Sequence, residues 1–153
     1  MPKKSAGILL YRFQNNVIEV LLVHPGGPFW AKKELGIWSI PKGETAGAED
    51  GLETAKRELQ EETGIIATGP FVILKPVTQK AGKIISAWSM AFYEGLPELK
   101  SNTFEMEWPP RSGKNQLFPE IDKMAWFTID MAMEKINIAQ QSFLIQITEL
   151  LII

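Results

Sequence analysis

Three glutamates stand at Glu58, Glu61 and Glu62 within the run Arg57-Glu58-Leu59-Gln60-Glu61-Glu62-Thr63-Gly64. In a helix, positions i, i+3 and i+4 share one face, so this spacing stacks three carboxylates a few ångströms apart. Like charges so placed repel, and a helix with only a structural role gains nothing from them. A hard divalent cation removes the repulsion, because Mg²⁺ and Mn²⁺ prefer carboxylate oxygen. The pattern points to metal-assisted chemistry. The bland alternative is a solvated charged face, which proteins use for solubility. A solvated face does not require Gly43, Glu49 and Arg57 before the acids or Gly64 after them.

The elements that must position these acids are legible around them. A helix beginning near Asp50 carries Leu52, Ala55 and Leu59 at i, i+3 and i+7, a stripe suited to burial against a sheet. Arg57 stands four residues from both Glu53 and Glu61, so it can bridge acids along its own face. Gly64 occupies the position of a left-handed C′ residue that stops the helix.

Gly43, then five residues, Glu49, then seven residues and Arg57-Glu58-Leu59-Gln60-Glu61-Glu62-Thr63-Gly64-Ile65 resembles a complete Nudix box, with no departure at its fixed positions. Trp38-Ser39-Ile40-Pro41-Lys42-Gly43 is similar to the strand and turn that lead into that box. Ala125-Trp126-Phe127 resembles the last strand before a C-terminal helix. The resemblance implies an α/β (α+β) fold, a Nudix-type α/β/α sandwich with a mixed sheet. It implies one Nudix hydrolase domain over residues 1–153 and hydrolysis of a nucleoside diphosphate linked to a further group, with Mg²⁺ or Mn²⁺ as cofactor. Carried over by position, Glu58, Glu61 and Glu62 would be metal-binding or base carboxylates, Arg57 would orient Glu58, and the Gly43 carbonyl would complete the metal site. The base role stays open among the acids. Family members often use a further acid in a loop before the last strand. Glu120, in Phe118-Pro119-Glu120-Ile121-Asp122, is the candidate, followed by Glu105 and Glu107.

Subfamily signatures narrow the substrate. ADP-ribose hydrolases tend to place a Pro, and diadenosine polyphosphate hydrolases a Tyr, at a set distance after the box. The corresponding Ala81-Gly82-Lys83 has neither. The Trp-Pro-Phe-Pro signature of NADH-type enzymes is absent, with Trp108-Pro109-Pro110 a faint echo. The Pro41-Lys42-Gly43 lead-in resembles the diadenosine polyphosphate and nucleoside triphosphate branches. The expectation is a nucleoside triphosphate or dinucleoside polyphosphate pyrophosphohydrolase. The rival is a non-catalytic nucleotide-sensing regulatory domain, which would be expected to lose box acids that this chain keeps.

Composition bounds the rest. The 153 residues suit one domain with a real core, and 45% hydrophobic with 22% charged residues is ordinary for a globular protein. Sixteen basic against 18 acidic residues give a net charge of −2, with no basic stripe for a nucleic-acid duplex. The absence of cysteine excludes disulfides and thiolate zinc sites. Neither terminus resembles a signal peptide, and no apolar run is long enough to span a membrane. A soluble cytoplasmic protein, monomer or homodimer, with a small nucleotide as substrate, is the expectation. The apolar Leu150-Leu151-Ile152-Ile153 either finishes a packed helix or makes an oligomer contact.

Along the chain, strands are expected over 6–12 and 17–24 with a turn at Gln14-Asn15-Asn16, then over 36–40, 71–79, 83–94 and 123–127. Ile85, Ala87, Ser89 and Ala91 would share one face. Pro25-Gly26-Gly27-Pro28 opens a loop, and 97–119, rich in Pro, Gly and charge, reads as a loop without regular structure. Thr128 or Asp130 would cap a helix through Ile136, and 139–151 would form the last helix with Leu144, Ile147 and Leu151 inward. Lys42, Arg111 and Lys114 are candidate phosphate contacts. Trp108 and Trp30, in loops, are the better candidates for stacking on a base, whereas Trp38, Trp88 and Trp126 lie in strands and read as core. His24, the only histidine, stands at a strand end beside Pro25-Gly26-Gly27 and reads as incidental to the loop there, with substrate contact as the alternative.

Overall fold

A computed structural model describes residues 3–45 and 49–152. The motif loop at 46–48, the Met1-Pro2 start and Ile153 of the apolar C-terminal run lie outside the described residues.

The two longest apolar runs form the centre. β1 (Lys4–Gln14) and β2 (Val17–Pro25) pair as an antiparallel hairpin through Asn15 and Asn16, both at positive φ. Asn is the residue that best tolerates that conformation after glycine. Ile8-Leu9-Leu10 and Val20-Leu21-Leu22-Val23 are buried without interruption, as strands covered on both faces must be. β3 (Lys42–Glu44) pairs antiparallel with the start of β1. β6 (Ile84–Ala91) pairs with β1 in parallel, and β9 (Ile121–Thr128) with β2 antiparallel. The short strands β4 (Val72–Ile73) and β5 (Val77–Thr78) both pair antiparallel with β6. The mixed sheet runs β4-β6-β1-β2-β9, with β3 and β5 off that path.

Alternation along each strand then sorts the core into two layers. Leu9, Val20, Leu22, Ile85, Ala87 and Phe127 face one side, where α2 (Ile129–Lys135) and α3 (Gln141–Leu151) contribute Ala132, Phe143, Leu144 and Ile147. Ile8, Leu10, Leu21, Met90 and Trp126 face the other, where α1 (Gly51–Thr63) contributes Ala55 and Leu59. Helices on both faces of a mixed sheet make the expected α/β/α sandwich. Thr128 caps α2, its hydroxyl accepting from Met131 N–H. Leu144 and Ile147 are fully buried, and Leu151 packs beside them. Leu150 and Ile152 stay exposed.

Several expectations need correction. The segment 36–40 is no strand: Ser39 and Trp38 make single bridges to Val23 and Ile136. The strand expected over 71–79 is split into β4 and β5, because Pro76 has no N–H to give a continuous ladder. Ala91 is exposed at the end of β6, unlike Ile85, Ala87 and Ser89. The last helix starts at Gln141, after a single 3₁₀ turn over Ile138–Gln140. The segment 97–119 is not irregular. It holds an antiparallel hairpin, β7 (Thr103–Glu107) with β8 (Asn115–Pro119), in which Phe104 and Phe118 face each other across the ladder. That alternation of Phe104 and Met106 with polar neighbours is a strand pattern masked by the Pro and Gly of its turn.

Candidate active site

α1 delivers the acids. Its helical register follows the sequence: Ala55 and Leu59 are buried, Gly64 adopts φ 82° and its N–H donates to the Gln60 carbonyl. Arg57 and Glu61 lie on the face turned away from that stripe, while Glu58 and Glu62, three and seven residues after Ala55, lie along its edge and are half-buried.

Arg57 is the hub. Its Nε and one terminal nitrogen grip both oxygens of Glu49, at 3.1 and 2.9 Å. The other terminal nitrogen donates to Glu58 at 3.0 Å and to Glu61 at 3.2 Å. Thr54 Oγ1 donates to Glu49 at 2.6 Å and completes the brace. Hydrogen bonds donated to Glu49, then to Glu61, push Arg57 further above its usual range, so the guanidinium stays charged. The expected Glu53–Arg57 bridge is replaced: Glu53 pairs with Lys56 at 3.2 Å.

Glu58 is the most enclosed member of this brace, its side chain 16% exposed against 37% for Glu61. Burial first, then Glu61, raises its proton affinity, and Arg57 opposes them. Gly43, on β3, is where the close approach requires glycine: a Cβ there would coincide with the Glu58 carboxylate. Glu62 accepts the Lys42 N–H at 3.3 Å. Burial and Glu58 push its carboxyl up to about 8 against the pull of Lys42. The Lys42 amine is itself lowered, chiefly by burial and then by Lys83. Glu120, at the β8–β9 junction, is close enough to add to the repulsion on both Glu58 and Glu62. Among the described residues, no three carboxylates converge as a ready-made cation cage.

Beside this face lies a cavity of about 310 Å³, whose wall includes Lys42, Glu62, Trp30, Ser39, Gln79 and Gln140. Gln140 is buried, its Oε1 accepting from Ile40 N–H at 3.0 Å and its Nε2 donating to Ser39 Oγ at 3.0 Å. The sequence reading missed Gln79 and Gln140. Gln140 shares the segment 136–147 with the polar Asn137, Gln141, Ser142 and Gln146, so no sequence signal singles it out.

Gly43, Arg57, Glu58, Glu61, Glu62, Lys42 and Glu120 are thus brought to one region. Trp108, Arg111 and Lys114 are placed on the turn of the β7–β8 hairpin. Arg111 N–H bonds Glu107 there, and Trp108 N–H bonds the Lys114 carbonyl. Among the described residues no hydrogen bond or ion pair joins them, or Glu105 and Glu107, to the helix acids. Trp30, not Trp108, lines the cavity. Trp38 is core at 3% exposed, while Trp88 and Trp126 are half-buried. His24 is not a loop residue: it is fully buried at the end of β2.

A family model described as NUDIX domain matches residues 1–146. A curated relative from Rattus norvegicus, bis(5'-nucleosyl)-tetraphosphatase [asymmetrical], is 33% identical over 100 residues, covering 58% of this chain and 64% of that protein. The Mus musculus protein of the same name is 31% identical over the same shares. The chain therefore spans less than two thirds of the curated relatives it matches. Among solved structures, a C. elegans Ap4A hydrolase binary complex superposes with a TM-score of 0.65 at 21% identity, covering 96% of this chain and 97% of that one. The NUDIX domain of Shewanella oneidensis NrtR, complexed with ADP ribose, gives 0.71 at 15% identity, covering 99% and 90%. These two likenesses are likenesses of fold.

Proposed function

This chain belongs to the Nudix family, and from that premise we propose that it is a metal-dependent pyrophosphohydrolase that cleaves a phosphoric anhydride bond of a dinucleoside polyphosphate or a nucleoside triphosphate. The observation that carries the reading is the Arg57 brace on Glu49, Glu58 and Glu61, set beside a cavity that Glu62 also lines. The names of the two curated relatives favour the dinucleoside polyphosphate branch.

The donor set fits a divalent cation. Its side-chain ligands are all oxygen, Gly43 leaves its backbone open to the Glu58 carboxylate, and burial, with neighbouring carboxylates adding to it, raises both Glu58 and Glu62. When bound at Glu58, Glu61, Glu62 and the Gly43 carbonyl, Mg²⁺ or Mn²⁺ would neutralise phosphate oxygens and ease deprotonation of a bound water.

This chain's own residues supply the rest. Arg57 fixes the orientation of Glu58. The proton of the attacking water passes to a carboxylate of the group. Glu58, oriented by Arg57, would take it, with Glu120 as the other acceptor. Lys42, at the cavity wall beside Glu62, meets phosphate charge. Trp30 offers a face for a base, and Gln79 and Gln140 offer amide groups to its edge.

The test is phosphate-product release with Mg²⁺ or Mn²⁺ from nucleoside triphosphates, dinucleoside polyphosphates, ADP-ribose and NADH, run beside Glu61→Gln. The reading expects metal-dependent turnover of one polyphosphate class, reduced at least about a hundredfold in the variant, as when a group that acts in the transition state is lost. A folded and fully active variant refutes the site. Nucleotide binding without turnover of any compound would make the domain a sensor.

A further inference from the structure

One buried polar cluster takes no part in the chemistry above. His24 Nδ1 lies 2.7 Å from Asp122 Oδ1, and Nε2 lies 2.7 Å from the Lys33 carbonyl oxygen. A carbonyl can only accept, and so can an ionised carboxylate. A neutral imidazole has one N–H and satisfies one of these oxygens; only the imidazolium satisfies both. The charged groups around the ring come from three elements. β9 supplies Asp122, its side chain 29% exposed, and Lys123. The 26–36 loop supplies Glu34, 3.6 Å from Nε2. α2 supplies Lys135. Both lysines bond Glu34 at 3.1 Å, Lys123 through the same Oε2 that faces Nε2, so the Glu34 carboxylate offsets part of their charge at the ring. The Trp38 ring meets His24 edge-on, with centroids 5.1 Å apart.

The oxygens that His24 holds lead to the cavity. The Lys33 N–H donates to the Trp30 carbonyl at 2.9 Å, so Trp30 and Lys33 close one turn, and the Lys33 carbonyl is the atom His24 grips. Lys33 Nζ also lies 5.1 Å from the Trp30 ring centroid. The loop ends are tied by Gly26 N–H to the Glu120 carbonyl and Gly36 N–H to the Glu134 carbonyl.

We propose that His24 is a positioning residue for the nucleotide: as an imidazolium it clamps the 26–36 loop to β9 and so holds the Trp30 wall of the cavity in place. Removing one ring proton leaves a lone pair facing an oxygen lone pair on one side, and that bond is lost. The consequence for nucleotide rests on the function proposed above; the consequence for the loop does not.

Because His24 is the only histidine, its ring nitrogens give unambiguous ¹⁵N signals. A pH series should show two N–H groups on the ring at low pH. Faster amide exchange at Gly26, Lys33 and Gly36, and a higher KM for the Mg²⁺–nucleotide, should follow in the same step as loss of one proton. In His24→Asn, loss of charged hydrogen bonding should raise KM about tenfold or more with kcat within about twofold. Should that variant fail to fold, Asp122→Asn keeps an oxygen acceptor for Nδ1 but removes the counter-charge, so the ring step, the exchange step and the KM step should all move together to lower pH. A ring with one N–H throughout, or exchange that ignores the ring step, overturns the clamp. An exchange step that tracks the ring while KM stays flat confirms the clamp and counts against the nucleotide reading of the cavity.

Discussion

Glu62 makes the metal-free protein sensitive to alkali, and the size of the effect follows from its surroundings. Burial and Glu58 raise its carboxyl from 4.5 to about 8, so the folded protein keeps a proton that the unfolded chain gives up. The contribution to stability is therefore complete below about pH 4.5 and lost as pH climbs through about 8. At about 1.36 kcal/mol per pH unit the rise sets a ceiling of about 5 kcal/mol, and partial access of water brings the expected loss to about 2–3 kcal/mol. For a chain of this size that is a fall in Tm of roughly 5–10 °C between pH 5 and 8.5. Glu58, also raised, acts in the same direction. Lys42 is held low and acts with the opposite sign at higher pH, which is why the comparison stops at 8.5. The assay is scanning calorimetry in chelator over that range, with the wild type beside Glu62→Gln, whose amide can still accept the Lys42 N–H. The variant should lose most of the slope. Equal slopes in the two proteins, or a wild type that gains stability with pH, would refute the assignment of the proton to Glu62.

Two further outcomes can be checked directly. Gly43→Ala puts a methyl group where the Glu58 carboxylate lies. It should cost about 1 kcal/mol of stability by denaturant melt, because Glu58 can swing away, yet lower kcat at least about a hundredfold. Trp30→Ala removes the aromatic wall of the cavity and should raise KM about tenfold with kcat nearly unchanged, as expected for a stacking contact of roughly 1–3 kcal/mol.

The acid helix was readable because two periodicities agree on it: Ala55 and Leu59 select the buried face, and Glu58, Glu61 and Glu62 share the flank beside it. The central strands were readable from uninterrupted apolar runs. What escaped depends on contacts between distant residues. The break between Val72, paired with Ser89, and Val77, paired with Ile85, is the exception, because Pro76 inside a strand pattern is a local signal. The β7–β8 hairpin is held by cross-strand pairs such as Phe104 and Phe118, while its turn carries the composition of a loop. His24 looked incidental because its partners, Asp122 and the Lys33 carbonyl, meet it only after β2 and β9 have paired. The cavity wall gathers Trp30, Gln79 and Gln140 from three separate segments, and no spacing links them.

β1, like β6, pairs with three strands, and this sets two tiers of permanence within one site. It pairs with β2, β3 and β6, so Gly43 on β3 and the α1 residues Ala55 and Leu59 rest on the part of the molecule that opens last. Trp30 rides on a loop held by a handful of bonds, on a segment whose opening requires no strand to separate. On the function proposed above, the acids would be anchored to global stability and the Trp30 wall to local stability. On that reading, substitutions in the 26–36 segment would alter the Trp30 wall without drawing on the folding free energy that keeps Glu58, Glu61 and Glu62 in register.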